Sequence, residues 1–157
     1  MMPADFFEEV PVVLKLDSPR SAGELNRVLR ELGATLDYDV YNFDRSEKHP
    51  IWQSESYALI DLAIGGQRAD AQDGADQITV SYPMATIPST YIARFVDLVL
   101  ALAGRLGATV LYCGEPVDRG QMITELDKIV TSLMTEWGEE PGSESLAIMI
   151  EEQFARR

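Results

Sequence analysis

Val12, Leu14 and Leu16 alternate with Val13 and Lys15 near the start of the chain, the period-two pattern of a strand with one buried face. Ser18-Pro19 then reads as a helix N-cap followed by proline at the first helical position. Leu25, Val28, Leu29 and Leu32 recur every three or four residues, which predicts a helix closed by Gly33. A second strand follows, with Leu36, Tyr38 and Val40 on one side and Asp37, Asp39 and Tyr41 on the other. Residues 44–54 are polar and contain His49-Pro50, so they read as a loop. Residues 57–64 form a third strand with Ala58, Ile60, Leu62 and Ile64 inward, ended by Gly65-Gly66. The polar stretch 67–76 predicts a loop, and Ile78, Val80 and Tyr82 a fourth strand stopped by Pro83.

The strongest helical pattern opens at Pro88-Ser89 and runs through Ile92, Phe95, Val96, Val99, Leu100, Ala103 and Leu106 to Gly107. Leu98 and Leu102 widen its apolar arc, so this helix is expected at the centre of the molecule. Residues 109–113 form a short fifth strand. Asp118-x-x-Gln121 resembles a capping box for a third helix carrying Met122, Ile123, Leu126, Ile129, Val130, Leu133 and Trp137. After a linker at 138–143, Ser143 caps a last predicted helix with Leu146, Ala147, Ile150 and Phe154, a C-terminal helical extension over 138–157. The expected order is β-α-β-β-β-α-β-α-α in one domain spanning 1–157. It implies an α+β fold: a mixed, mostly antiparallel sheet of about five strands with helices mainly on one face, a variant of the ferredoxin-like split βαβ plan.

Composition narrows the class. The chain has 157 residues, 46% hydrophobic and 25% charged, in the range of an ordinary globular domain. Its net charge is −13, concentrated in 35–80 (nine acids, three bases) and 121–155 (eight acids, one base). Such a field repels nucleic acid and anionic membranes and steers basic partners inward. The start of the chain has neither a basic segment nor a long apolar run, and Cys113 is the only cysteine. A reducing, cytoplasmic compartment is therefore expected.

Few motifs point to chemistry. Gly65-Gly66 lacks the Lys-Ser/Thr and the following helix of a phosphate loop. Asp70, Asp73 and Asp76 lie three apart, without the alternate spacing and final glutamate of a calcium loop. His49 is the only histidine, which excludes a multi-histidine zinc site within one chain. Cys113, placed in a strand, reads as an inert buried thiol. No cofactor, metal or catalytic residue is expected.

The acidic segments suggest recognition instead. If the second and third strands stay regular, Asp37, Asp39, Tyr41 and Phe43 line one outer stripe, and Tyr57, Leu59 and Asp61 a neighbouring one. Aromatic side chains among charges are typical of interface centres. A second candidate surface is Glu136, Glu139, Glu140 and Glu144. In size, acidity and α+β build the chain resembles bacterial-type immunity proteins, the dedicated inhibitors of secreted toxins, although it carries no motif of any of their families. The resemblance implies a non-catalytic module that blocks a basic toxin by direct binding. Two other readings stay open: a secretion-system chaperone or adaptor, and a small-ligand-binding or enzymatic domain on a ferredoxin-like scaffold. A homodimer is compatible with all three.

Overall fold

The computed structural model describes residues 9–38, 40–44, 56–83 and 91–137. Strand β1 (Glu9–Arg20) is central, between β6 (Ala75–Pro83) and β7 (Thr109–Tyr112). On the far side of β6 lies β4 (Ser56–Ile64), then β3 (Val40–Asp44) and β2 (Thr35–Asp37); β8 (Glu115–Pro116) extends the other end beyond β7. The short β5 (Gln67–Ala69) pairs with β4. The eight strands form one sheet, and every pairing among the described residues is antiparallel. Helix α1 (Ala22–Glu31) follows β1, α2 (Ile92–Leu106) joins β6 to β7, and α3 (Arg119–Trp137) follows β8. The inner order β4-β6-β1-β7, with α1 and α2 as crossovers, is the split βαβ arrangement.

Directly paired residues of an antiparallel sheet share a face. Val12, Val80 and Ile60 form one row across β1, β6 and β4, and Leu14, Ile78 and Leu62 the next. These rows face the helices, which cover one side of the sheet. Each fully buried Val, Leu or Ile contributes roughly 1.5–3 kcal/mol of apolar transfer. Helix α2 buries Phe95, Val96, Val99, Leu102 and Leu106, and Tyr82 meets Phe95 edge to face with ring centroids 5.3 Å apart. Met122, Leu126 and Val130 of α3 are buried in the same core. On the opposite face the rows read Pro11-Ser81-Leu59-Asn42 and Leu111-Val13-Thr79-Asp61.

Capping is local and legible. The predicted Asp118–Gln121 box forms: Gln121 N donates to Asp118 Oδ1 at 2.8 Å, and Asp118 N donates to Gln121 Oε1 at 2.9 Å. Gly107 ends α2 in the left-handed conformation, φ 63°. The cap of α1 is Ser21, whose Oγ accepts from Glu24 N at 3.2 Å, and not Ser18, because β1 continues to Arg20.

The strand count also departs from expectation. The predicted second strand is a hairpin, β2 and β3, with Asp37 paired to Val40 at its reversal. The predicted loop 67–76 contains β5, and the predicted fifth strand ends at Tyr112, where Cys113-Gly114 turns the chain into β8. The predicted helix beyond 138 lies outside the described residues.

One side chain ties three elements together. Arg20 donates from one terminal nitrogen to Glu24 Oε1 and from the other to the Leu106 carbonyl, both at 2.8 Å, linking the end of β1 to the start of α1 and the last turn of α2. Gly74, φ 80°, passes this point so closely that an added Cβ would lie 2.4 Å from the Arg20 carbonyl oxygen. Gly74→Ala is therefore expected to lose more than about 2 kcal/mol, combining left-handed strain with the clash. Gly65→Ala (φ 59°) meets nothing within 4 Å and should lose only about 1 kcal/mol. Urea unfolding of the two variants gives the comparison, and equal losses would contradict the close approach at Gly74.

Candidate docking surface

Asp37 pairs with Val40, so β2 and β3 are joined by a reversal of two residues. Such tight hairpins need positive φ, for which glycine and asparagine are suited. Here Tyr38 takes that conformation, φ 56°, and its side chain is 91% exposed. A bulky residue at positive φ is an outlier, costing roughly 1–2 kcal/mol. Val40 beside it is 53% exposed. The tip of the hairpin thus combines a strained, projecting aromatic ring with an exposed aliphatic side chain and the exposed Asp37 carboxylate.

A cleft adjoins the tip. Strands β3 and β5 both lie on the same edge of β4: β3 pairs at Leu59 and Ser56, β5 from Leu62 to Ile64. Between them is a cavity of about 250 Å³ whose lining includes Val40, Leu59, Asp61, Arg68 and Asp70. Asp61, Arg68 and Asp70 are exposed, and Leu59 is half-buried. Two carboxylates and one guanidinium therefore surround an aliphatic floor, continuous with the hairpin tip through Val40.

The residues expected on the outer stripes divide. Asp37, Leu59 and Asp61 lie on the side of the sheet away from the helices. Tyr41, Phe43 and Tyr57 do not: they are 2%, 1% and 6% exposed and belong to the core. Reversal at Tyr38 changes the parity, so Leu36 pairs with Tyr41 on the helix side while Asp37 pairs with Val40 on the open side. A bulge does the same in β4. Asn42 pairs with Leu59 but Asp44 with Ser56, leaving both Tyr57 and Ala58 opposite Phe43. Tyr57 is thereby turned inward, 6.0 Å from the Phe43 ring and 5.7 Å from that of Tyr91, with the Arg94 guanidinium 4.9 Å above it. Ser56 completes the bulge by accepting from Phe43 N at 2.7 Å.

Tyr41 is anchored separately. Its hydroxyl donates to Asn26 Oδ1 at 3.1 Å, an oxygen that also accepts from Arg30 Nε at 3.0 Å. Burial raises the Tyr41 hydroxyl above its ordinary pKa, and the Arg30 charge offsets part of that rise. Asp39, Glu139, Glu140 and Glu144 lie outside the described residues; Glu136 falls within α3, at a position where only the backbone is described.

Of the other candidates for chemistry, His49 lies outside the described residues and two aspartates have structural partners. Asp73 Oδ2 accepts from Asp70 N at 2.9 Å and Asp76 Oδ2 from Gly65 N at 3.1 Å, so both carboxylates hold turns. No group of three or more His, Cys, Asp or Glu side chains among the described residues is arranged to hold a metal ion. Cys113 is exposed at the β7–β8 turn with φ 52°, not buried in a strand. No helix among the described residues is long and apolar enough to cross a membrane.

Tyr38 escaped the sequence reading. Leu36, Tyr38 and Val40 alternate like a buried strand face, and the turn lacks the Asn-Gly or Asp-Gly signal that marks a two-residue hairpin. No protein-family model matches the chain, and no curated protein is detectably similar to it.

Two outcomes test these assignments. Tyr38→Gly should raise the unfolding free energy by up to about 1 kcal/mol, since relief of left-handed strain exceeds the entropy cost of glycine; a clear loss of stability would mean that the ring packs against the fold. For Tyr41, a folded-state pKa above the unfolded one gives stability fully present below the unfolded pKa and lost as pH rises through the folded value. The alkaline loss of stability should therefore be smaller in Tyr41→Phe, whose overall stability falls by about 1 kcal/mol at neutral pH through loss of the Asn26 hydrogen bond. Denaturation at pH values on both sides of about 10 measures both effects.

Proposed function

We propose that this protein is a non-catalytic docking module that captures a basic protein partner with the β2–β3 hairpin tip and the adjoining cleft on β4. Within that class it is an immunity-type inhibitor, covering the functional surface of a cognate toxin. The observation that carries the reading is Tyr38, held fully outward in a strained conformation beside exposed Val40 and Asp37, next to a cleft that carries the Asp61 and Asp70 carboxylates. Strain at an exposed aromatic gives the fold no packing in return, which favours a role in recognition. Tyrosine at the centre of a polar rim is a frequent interface anchor.

The size of the cleft agrees with this reading better than with a small-molecule site. At about 250 Å³ it falls below the range of about 300–1,000 Å³ typical of ligand pockets, and it suits one or two side chains of a partner. The net charge of −13 would speed encounter with a basic surface, while contacts at Tyr38 and Val40 would set how long the complex lasts.

The reading is tested by isolating the partner from the native host and measuring the kinetics of the complex. Asp37→Asn with Asp61→Asn should slow association and weaken its salt dependence. Tyr38→Ala should mainly speed dissociation, by an amount equivalent to about 1–3 kcal/mol for an anchor residue. A cognate complex indifferent to all three substitutions would place the interface elsewhere and overturn the proposal.

A further inference from the structure

The β7–β8 hairpin and the first turns of α3 enclose a groove of about 570 Å³. It lies at the β8 end of the sheet, opposite the β2 end that carries Tyr38. Tyr112, Pro116 and Val117 give it an aromatic and aliphatic floor, and Glu115, Asp118 and Glu125 contribute carboxylates. Among the described residues, no lysine, arginine or histidine lines it. Lys128, an exposed side chain one turn along α3, lies 3.4 Å from Glu125, and an exposed pair of this kind contributes little.

We propose that this groove is a second docking site, which receives an arginine side chain presented by a polypeptide partner. Charge complementarity selects a cation: the Glu115 and Glu125 carboxylates flank a floor with no basic residue among the described ones, and Asp118, which caps α3, adds its negative charge. The mixed apolar, aromatic and acidic lining selects arginine. Its aliphatic stem covers apolar surface while its charged head stays at the rim. Its planar guanidinium stacks on an aromatic face such as Tyr112 and bonds carboxylates in pairs, which an ammonium cannot do. The groove is larger than the cleft at β4, with room for the arginine side chain and the adjoining backbone of the polypeptide that presents it. Burial chiefly raises the Tyr112 hydroxyl pKa, the neighbouring Cys113 adds to it, and the Glu125 carboxylate makes the smallest contribution in the same direction.

The site is independent of the β2–β3 surface, and the test keeps the two apart. The full chain, labelled with nitrogen-15, is titrated with acetyl-Gly-Arg-Gly-amide and, separately, with the same peptide carrying neutral citrulline. Saturable amide shifts from the arginine peptide are expected, centred on residues 112–125. Citrulline should bind at least about tenfold more weakly, as should arginine to the Glu115→Gln/Glu125→Gln variant. Both substituted side chains are on the accessible hairpin and helix surface, and the dispersion of the variant's spectrum reports that it is folded. Asp37→Asn/Asp61→Asn should leave this titration unchanged whether or not the β2–β3 surface binds its partner. Shifts scattered over all acidic segments, equal binding of the citrulline peptide, or a double variant within twofold of the parent would each overturn the proposal. Free agmatine binding as tightly as the peptide would overturn the polypeptide assignment.

Discussion

Tyr82 of β6 and Phe95 of α2 meet edge to face where the central helix crosses the sheet, and this contact sits on rows of aliphatic side chains from β1, β6 and β4. Burial of that face decides the orientation of every other residue in the sheet. A strand has a side-chain period of two, so once Val12, Leu14, Ile78 and Val80 are committed to the helices, their neighbours Val13, Lys15, Thr79 and Ser81 must point away. Eight strands then share one dry face and one face that, among the described residues, carries no helix. The ion pairs Arg105–Glu31 and Arg119–Asp97 join α1 and α3 to α2 at exposed positions, where such pairs add little energy and serve mainly to orient.

The candidate sites arise where this parity is broken or the sheet stops. At the β2 end, the chain reverses without a glycine and exposes Tyr38 at positive φ. In β4, one extra residue turns Tyr57 inward and lets β3 and β5 occupy separate stretches of the same edge, with a cleft between them. At the β8 end, Cys113-Gly114 makes another reversal with two positive φ angles, and the strand it starts ends at Pro116, which cannot donate to a further strand. Both ends are thus poorly suited to edge-to-edge association and better suited to presenting side chains.

Charge acts over a longer range than these contacts. The excess of acids makes the whole molecule attractive to cations, with a reach of about 8–10 Å at physiological salt. Within a hairpin tip or a groove the same carboxylates are held in fixed positions against apolar surface. Asp118 is the clearest instance, since its side chain is committed to the N-cap of α3 while it also lines the groove. A diffuse field brings partners near, and the sites determine where they stop.

By itself, the sequence determined the α+β class, the helix at 92–106, the capping box at Asp118 and the inward faces of β1 and β6. These features depend on periodicity and on hydrogen bonds within a few residues, both of which the order of amino acids carries directly. It also marked Asp37, Leu59 and Asp61 as outward-facing, because their strands alternate locally as expected. Only the tertiary structure decided the fate of Tyr38, Tyr41, Phe43 and Tyr57. Their orientations turn on one reversal without a turn signature and on one bulge, and a shift of a single residue at either place exchanges the faces of the sheet. The same holds for the two concave sites, whose walls come from segments brought together by pairing across the sheet edges and by the docking of α3, a matter of packing rather than of local pattern.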